Sequence, residues 1–275
     1  MTDRSVHRDL PLALVVGACG GLGLACARRL GQRYRLVLTD IDAGRLEGIA
    51  EQLADEGISN VAVPCNITDD DSVAALMHAA TEQGALSALV HVVGLSPVAG
   101  DWRRIMAVNL PGAARVAQAA LPLMQRGAAV FVSSLAAHNA GDVTRMHAVL
   151  DNPLVPDFID QKAAAIGAAP DPVRSYTLSK YGLNRMVRRL AYSWGAAGHR
   201  IVSLSPGLIA SPMGEREFTA SPQKWELLQQ TPLQRQGSLG EIVDAMEFLV
   251  SDRASFITGT DLLVDGGILA ALSSK

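Results

Sequence analysis

Short apolar runs alternate along the chain with longer segments of helical periodicity. Residues 12–16, 36–39, 61–63, 88–93, 129–132, 201–204 and 262–264 are rich in leucine and β-branched residues. They lack polar alternation, as expected of strands buried on both faces of a parallel sheet. Between them, residues 46–54, 72–82, 103–124 and 241–250 repeat their apolar positions at helical spacing. Strand–helix alternation repeated this often predicts an α/β fold, a doubly wound sheet of about seven parallel strands with helices on both faces. Right-handed crossovers would place a ligand at the carboxyl ends of those strands.

Two segments break the rhythm. Residues 138–172 carry Asp151-Asn152-Pro153, Pro156, Pro170 and Pro172 around a helical stretch at 157–165. Residues 208–232 are polar and proline-punctuated, with Met213, Phe218 and Trp225 as their large apolar side chains. Loops of this length in a compact domain usually serve function, so the first reads as an insertion and the second as a substrate loop. No internal repeat, low-complexity tract or linker divides residues 1–275, which are expected to form a single domain.

Composition narrows the function. Apolar residues make up 49% and charged residues 19%, which excludes a disordered chain, and a net charge of −3 offers no footprint for nucleic acid or an anionic membrane. Cys19, Cys26 and Cys65 form no CxxC pair, and the six histidines show no ligand spacing, so neither a disulfide scaffold nor a metal site is expected. There is no GxSxG and no HExxH. Residues 10–27 form an uncharged run behind two arginines, and Ala25-Cys26-Ala27 imitates a signal-peptidase site. Four glycines sit where the apolar helix of a signal would be, so a cytoplasmic location is expected.

The first strand runs directly into Gly17-Ala18-Cys19-Gly20-Gly21-Leu22-Gly23 and then a helix. Glycines there let the backbone turn sharply and approach a pyrophosphate, and the helix N-terminus supplies free N–H groups. The bland alternative is a small-residue packing turn. Asp40 ends the second strand, 17 positions after Gly23, where a carboxylate can hold adenosine ribose hydroxyls and repel a 2′-phosphate. Neither Gly20 nor Ile41 supplies a cation for that phosphate, so NAD is favoured over NADP. Asp40 as a simple cap of the loop 40–44 is the competing reading.

Tyr176 and Lys180 open an amphipathic helix that continues through Leu183, Met186, Val187, Leu190, Ala191 and Trp194. Four residues apart, they share one helix face. An ammonium beside a phenol favours phenolate, which suits proton exchange with an alcohol or ketone oxygen. With four tyrosines and four lysines in the chain, chance alone supplies one such pair with probability roughly 0.06.

Taken with Asn109 in Met106-Ala107-Val108-Asn109, Ser134 in Val132-Ser133-Ser134, Pro206-Gly207 and Val264-Asp265-Gly266-Gly267, these motifs resemble the short-chain dehydrogenase/reductase family from Leu12 to Gly267. The resemblance implies a Rossmann-type fold, NAD as cofactor and hydride-transfer chemistry on a secondary alcohol or ketone. It implies Tyr176 as general base or acid, and Lys180 as the holder of the nicotinamide ribose that lowers the tyrosine pKa. Ser134 would fix the substrate oxygen, and Asn109 would bend its helix and hold a water behind Lys180. Cofactor contacts are implied at Gly17, Gly20, Gly21, Leu22, Gly23, Asp40, Ile41, Asn66, Ile67, Gly94, Tyr176, Lys180, Pro206, Gly207, Ile209 and Ser211. A homodimer or homotetramer is implied too.

The departures are informative. Val16 stands for the family's threonine, Asn66 for its adenine-contacting aspartate, and His91-Val92-Val93-Gly94 for its Asn-Asn-Ala-Gly. His91 is expected to be a packed or bridging side chain, and Ser133 structural. Ser134 and Tyr176 are 42 positions apart where the family has roughly a dozen. The insertion is read as surface decoration, as a cover over an apolar substrate with Met146, Leu150 and Phe158 turned inward, or as a block on the common tetramer. With Asp151-Asn152-Pro153-Leu154 and the run from Trp194 to Arg200, it resembles the bacterial 3α-hydroxysteroid dehydrogenase/carbonyl reductase branch. That branch implies a bulky apolar alcohol or ketone, such as a 3α-hydroxysteroid. A silent dinucleotide sensor and an enzyme with sequestered NAD are the alternatives.

Overall fold

The computed structural model describes residues 10–166 and 171–274; Pro170 of the insertion lies outside the described residues, as do His7 and Lys275. The first half runs β1 (Leu12–Val16), α1 (Gly21–Leu30), β2 (Arg35–Thr39), α2 (Ala43–Asp55), β3 (Asn60–Ala62), α3 (Asp70–Gln83), β4 (Leu86–His91), α4 (Trp102–Ala107), a π-helical turn (Val108–Gly112), α5 (Ala113–Ala120) and β5 (Met124–Val132). The insertion follows with α6 (His147–Leu150) and α7 (Phe158–Ile166), then α8 (Pro172–Ala196) and β6 (Arg200–Pro206). The chain ends with β7 (Ile209–Ala210), α9 (Pro212–Ala220), α10 (Gln223–Gln230), β8 (Gly237–Ser238), α11 (Leu239–Val250), β9 (Asp261–Val264) and α12 (Ile268–Ser273).

Seven strands form one parallel sheet in the order β3-β2-β1-β4-β5-β6-β9. Crossover helices bury both faces, which is why the strands read as unbroken apolar runs. One apolar layer joins Leu14, Leu89 and Phe131 to Leu110, Leu183 and Val187, beneath α5 and α8. The other joins Val15, Val90 and Val130 to Leu30, Leu46 and Met246, beneath α1, α2 and α11. The strand order reverses beside β1 and β4, where the crevice at the strand ends opens for a ligand. Residues 10–27, the signal-like run, supply the central strand β1 and most of α1. Among the described residues, no helix is long and apolar enough to cross a membrane.

Two expected elements are corrected. The helix anticipated over 103–124 is broken at Val108–Gly112 and stops at Ala120, and Met124 already belongs to β5. Pro111 lacks the N–H that a regular turn needs, and Pro122 in the following turn ends the helix for the same reason. The loop 208–232 holds two helices, α9 and α10.

Met146, Leu150 and Phe158 of the insertion do turn inward, each almost fully buried. Leu150 points away from the cleft, onto α8. Leu150 approaches Gly182, Asp151 binds both Arg185 and Arg189, and His147 stacks on Tyr181. At 3.6 residues per turn, positions 181, 182, 185 and 189 lie on the side of α8 turned away from Tyr176 and Lys180. Residues 147–151 of the insertion therefore cover the back of the catalytic helix. The reason is chemical: Asp151 meets an arginine pair there, and the apolar stripe of α8 is wide enough to need a second cover.

Candidate active site

The turn after β1 is tied to the end of β2, since the N–H groups of Gly17 and Ala18 donate to the Thr39 carbonyl. Gly17 has φ of +98°, and a Cβ there would strike the Val93 backbone, so only glycine serves. A Cβ at Gly23 would stand 1.9 Å from the Gly17 carbonyl oxygen, because α1 leaves the turn at close quarters. Gly20 caps α1 without a side chain, so the N–H groups of its first turn (Gly21, Leu22 and Gly23) face outward uncapped. That cradle fits a pyrophosphate.

Asp40 stands beside it. Its carboxylate accepts from the Cys19 N–H (3.0 Å) and the Ile41 N–H (2.8 Å), which fixes the group while each oxygen keeps a lone pair for a ribose hydroxyl. Asp42, not Asp40, caps α2. Asn66 departs from what adenine asks of it. Its Oδ1 accepts from both the N–H and the hydroxyl of Thr68, leaving chiefly the amide N–H₂ to offer a base. Ile67 is buried against Gly112, and Ile41 is exposed, so any contact from Ile67 falls to its backbone.

The chemical residues converge at the ends of β4 and β5. Asn109 sits in the π-helical turn, fully buried; it donates to the Leu95 carbonyl and to Ser179 Oγ, and accepts from the Leu95 N–H at 2.7 Å. Asn109 spends its side chain on the loop after Gly94. Ser179, one residue before Lys180, is a partner that the sequence reading passed over. A Cβ at Gly94 would lie 3.1 Å from Lys180 Nζ and 3.6 Å from Asn109 Oδ1, so this glycine makes room for the lysine. Ser133 holds the Lys180 carbonyl, a structural role.

Lys180 Nζ donates to the Val132 carbonyl at 2.8 Å, and burial lowers its pKa to about 8. The partly buried Tyr176 phenol is pushed up to about 12, chiefly by burial and also by Glu217 on α9, against a Ser134 hydrogen bond that favours the phenolate. The Lys180 ammonium is held towards β5, one turn of α8 from Tyr176. Ser134 also accepts from the Ala136 N–H at 3.2 Å.

Over the cleft, Pro212 at the start of α9 lies next to Gly21, so the loop after β6 borders the phosphate cradle. Gly207, after Pro206, is pressed on the Asp265 backbone, and Ile209 pairs in register with Gly237. Ser211 Oγ accepts from the Gly214 N–H and caps α9, which leaves its hydroxyl proton for a carboxamide. Glu217 pairs with Lys224 across α9 and α10 (3.0 Å), and Phe218 meets Trp225 edge to face.

Residues 11–147 match the family described as short chain dehydrogenase, and residues 162–269 match that described as Enoyl-(Acyl carrier protein) reductase. The chain is 34% identical to a short-chain dehydrogenase/reductase of Alternaria brassicicola, over 94% of this chain and 96% of that one. It is 31% identical to cis-4-hydroxycyclohexanecarboxylate dehydrogenase of Sinomonas cyclohexanicum, again over 94% and 96%. Among solved structures, a short-chain dehydrogenase/reductase from Brucella melitensis superposes with a TM-score of 0.75 at 28% identity, covering 94% of this chain and 96% of the other.

Proposed function

The chain belongs to the short-chain dehydrogenase/reductase family, oxidoreductases of secondary alcohols and ketones that use a nicotinamide dinucleotide; on that premise we propose an NAD-dependent enzyme for a bulky apolar alcohol, with 3α-hydroxysteroids as candidate substrates. The observation that carries the chemistry is the convergence of Ser134, Tyr176 and Lys180 beside Gly94 and Asn109. NAD is favoured by Asp40, whose carboxylate repels a 2′-phosphate, with no cation from Ile41 to offset it. A cyclic alcohol is favoured by the likeness to an enzyme named for a hydroxycyclohexane acid.

The bound dinucleotide supplies the acceptor or donor of hydride. Gly17, Gly20 and the first N–H groups of α1 would hold its pyrophosphate, and Asp40 its ribose. Ser134 directs its hydroxyl at the substrate oxygen and steadies Tyr176. In oxidation Tyr176 Oη takes the carbinol proton; in reduction it returns one to the ketone oxygen. Lys180, an ammonium held in a dry site, supplies the positive potential that lets Tyr176 part with its proton. Asn109 and Ser179 keep the Leu95 loop, and with it Gly94, packed against the lysine.

We read the protein as cytoplasmic, because the signal-like run is the middle of its sheet. We read it as a homodimer or homotetramer, the assembly that the family resemblance implies.

The test is formation of reduced nicotinamide, followed by absorbance, from NAD and from NADP with 3α- and 3β-hydroxysteroids and simpler cyclic alcohols. Turnover with NAD that is lost in Tyr176→Phe, while dinucleotide binding persists, is the expected result. Turnover retained in Tyr176→Phe would overturn the mechanism.

A further inference from the structure

His91 ends β4 fully buried, stacked on Phe131 with ring centroids 5.2 Å apart. Both ring nitrogens lack a hydrogen-bond partner among the described residues. Buried polar atoms are rarely left so, and a residue that keeps two of them at a reaction centre calls for a role. Its direction follows from the sheet. Leu89 packs in the layer beneath α5 and α8, and Val90 in the opposite one, so His91 returns to the α8 side, from which Lys180 descends.

Three observations place the two side chains in one neighbourhood. His91 pairs in register with Phe131, and the next carbonyl along β5, that of Val132, accepts from Lys180 Nζ. Three residues beyond His91, Gly94 leaves space for Lys180 Nζ. The ammonium has three hydrogens, and Val132 engages one. One side chain thus has spare donors and the other a spare acceptor, in one dry layer. Burial, with the charge of Lys180 adding to it, holds His91 neutral with a pKa of about 3. A neutral imidazole always keeps one nitrogen as an acceptor.

We propose that His91 is a positioning residue for Lys180, its imidazole taking one of the free ammonium hydrogens through one bridging water. This rests on the reading of Tyr176 and Lys180 as the proton-handling pair. The arrangement keeps Lys180 charged despite its burial and fixes where the charge stands relative to Tyr176. The groups that face the pair are few. β1 contributes Val16 and β5 contributes Phe131 and Val132, none of them titratable; the π-helical turn contributes the neutral Asn109, and α9 contributes Glu217, which acts on Tyr176.

The experiment compares the full chain with His91→Phe, which fills the space and can stack on Phe131 without an acceptor, and with His91→Asn, which restores one. The first readout needs no substrate: affinity for NADH, by fluorescence, measured from pH 6 to 10. In the wild type, binding weakens as Lys180 loses its proton near pH 8. In His91→Phe that midpoint moves down by about one unit, a tenfold loss of proton affinity at Lys180, and His91→Asn brings it most of the way back. The second readout is the pH profile of kcat with an alcohol that turns over; the basic limb of activity falls earlier in His91→Phe, and kcat drops about tenfold with KM little changed. An unchanged midpoint in His91→Phe overturns the proposal and leaves His91 a packing residue. Loss of all NADH binding in His91→Phe with normal affinity in His91→Asn supports it. A wild type that binds NADH yet oxidises no alcohol defeats the catalytic reading alone, because the binding midpoint still reports on Lys180.

Discussion

Lys162 in α7 of the insertion is completely buried, donates to Ser175 Oγ and lies 4.3 Å above the Trp102 ring. Burial lowers its pKa from 10.5 to about 8, with Asp171 resisting and Arg103 and Arg174 assisting. At about 1.4 kcal/mol per unit, that shift amounts to roughly 3 kcal/mol against the charged form in the folded state. The sign follows from proton counting. Between about pH 8 and 10.5 the unfolded chain binds more protons at this lysine than the folded one, so folding stability rises with pH across that window. Integrated from pH 7 to 9, Lys162 alone contributes a rise of about 1.4 kcal/mol. Lys162→Met removes it while keeping a long apolar stem over Trp102. The assay is urea unfolding of both proteins at pH 7, 8 and 9, extrapolated to water. Titration of Lys180, Tyr176 and the buried thiols is common to both chains and cancels in the difference. The wild type should gain about 1.4 kcal/mol on the variant between pH 7 and 9. A difference that stays flat to within about 0.3 kcal/mol would mean that Lys162 is not a dry ammonium, and the placement of α7 against Ser175 would be wrong.

Three other substitutions test the remaining arguments. Asp40→Ala should weaken NAD by about tenfold to a hundredfold, through lost charge-assisted hydrogen bonds to the ribose, and narrow the preference over NADP; calorimetric titration showing equal NAD affinity would refute the ribose assignment. Gly23→Ala puts a methyl 1.9 Å from the Gly17 carbonyl, so NAD affinity should fall by at least about tenfold, and unchanged binding by fluorescence would disprove a close-packed turn. Leu150→Ala should reduce stability by about 2–5 kcal/mol in thermal or urea unfolding and leave kcat for small and bulky alcohols alike. A selective loss of bulky substrates would instead make the insertion a wall of the cleft.

Much of this molecule is legible in its sequence. The seven strands appear because a strand buried on both faces must be apolar throughout, a signature that needs no knowledge of its neighbours. The glycine turn, Asp40 and the Tyr176–Lys180 spacing are equally local, since positive φ, close backbone approach and a shared helix face are set by a few adjacent residues. Pro111 and Pro122 could have signalled the broken helix, but the apolar pattern runs through them to Met124. Other features were decided only when distant segments met. Leu150 is apolar in the sequence, yet whether it faces a substrate or the back of α8 depends on Asp151 finding Arg185 and Arg189. Lys162 looks like any surface lysine until Trp102 and Ser175 close around it. Lys180 shares a face with Tyr176, but its ammonium goes to a carbonyl 48 positions earlier. Periodicity fixes which face of an element is apolar; the partner of a polar side chain depends on which chain segment packs opposite, and contacts between segments far apart in sequence leave no local trace.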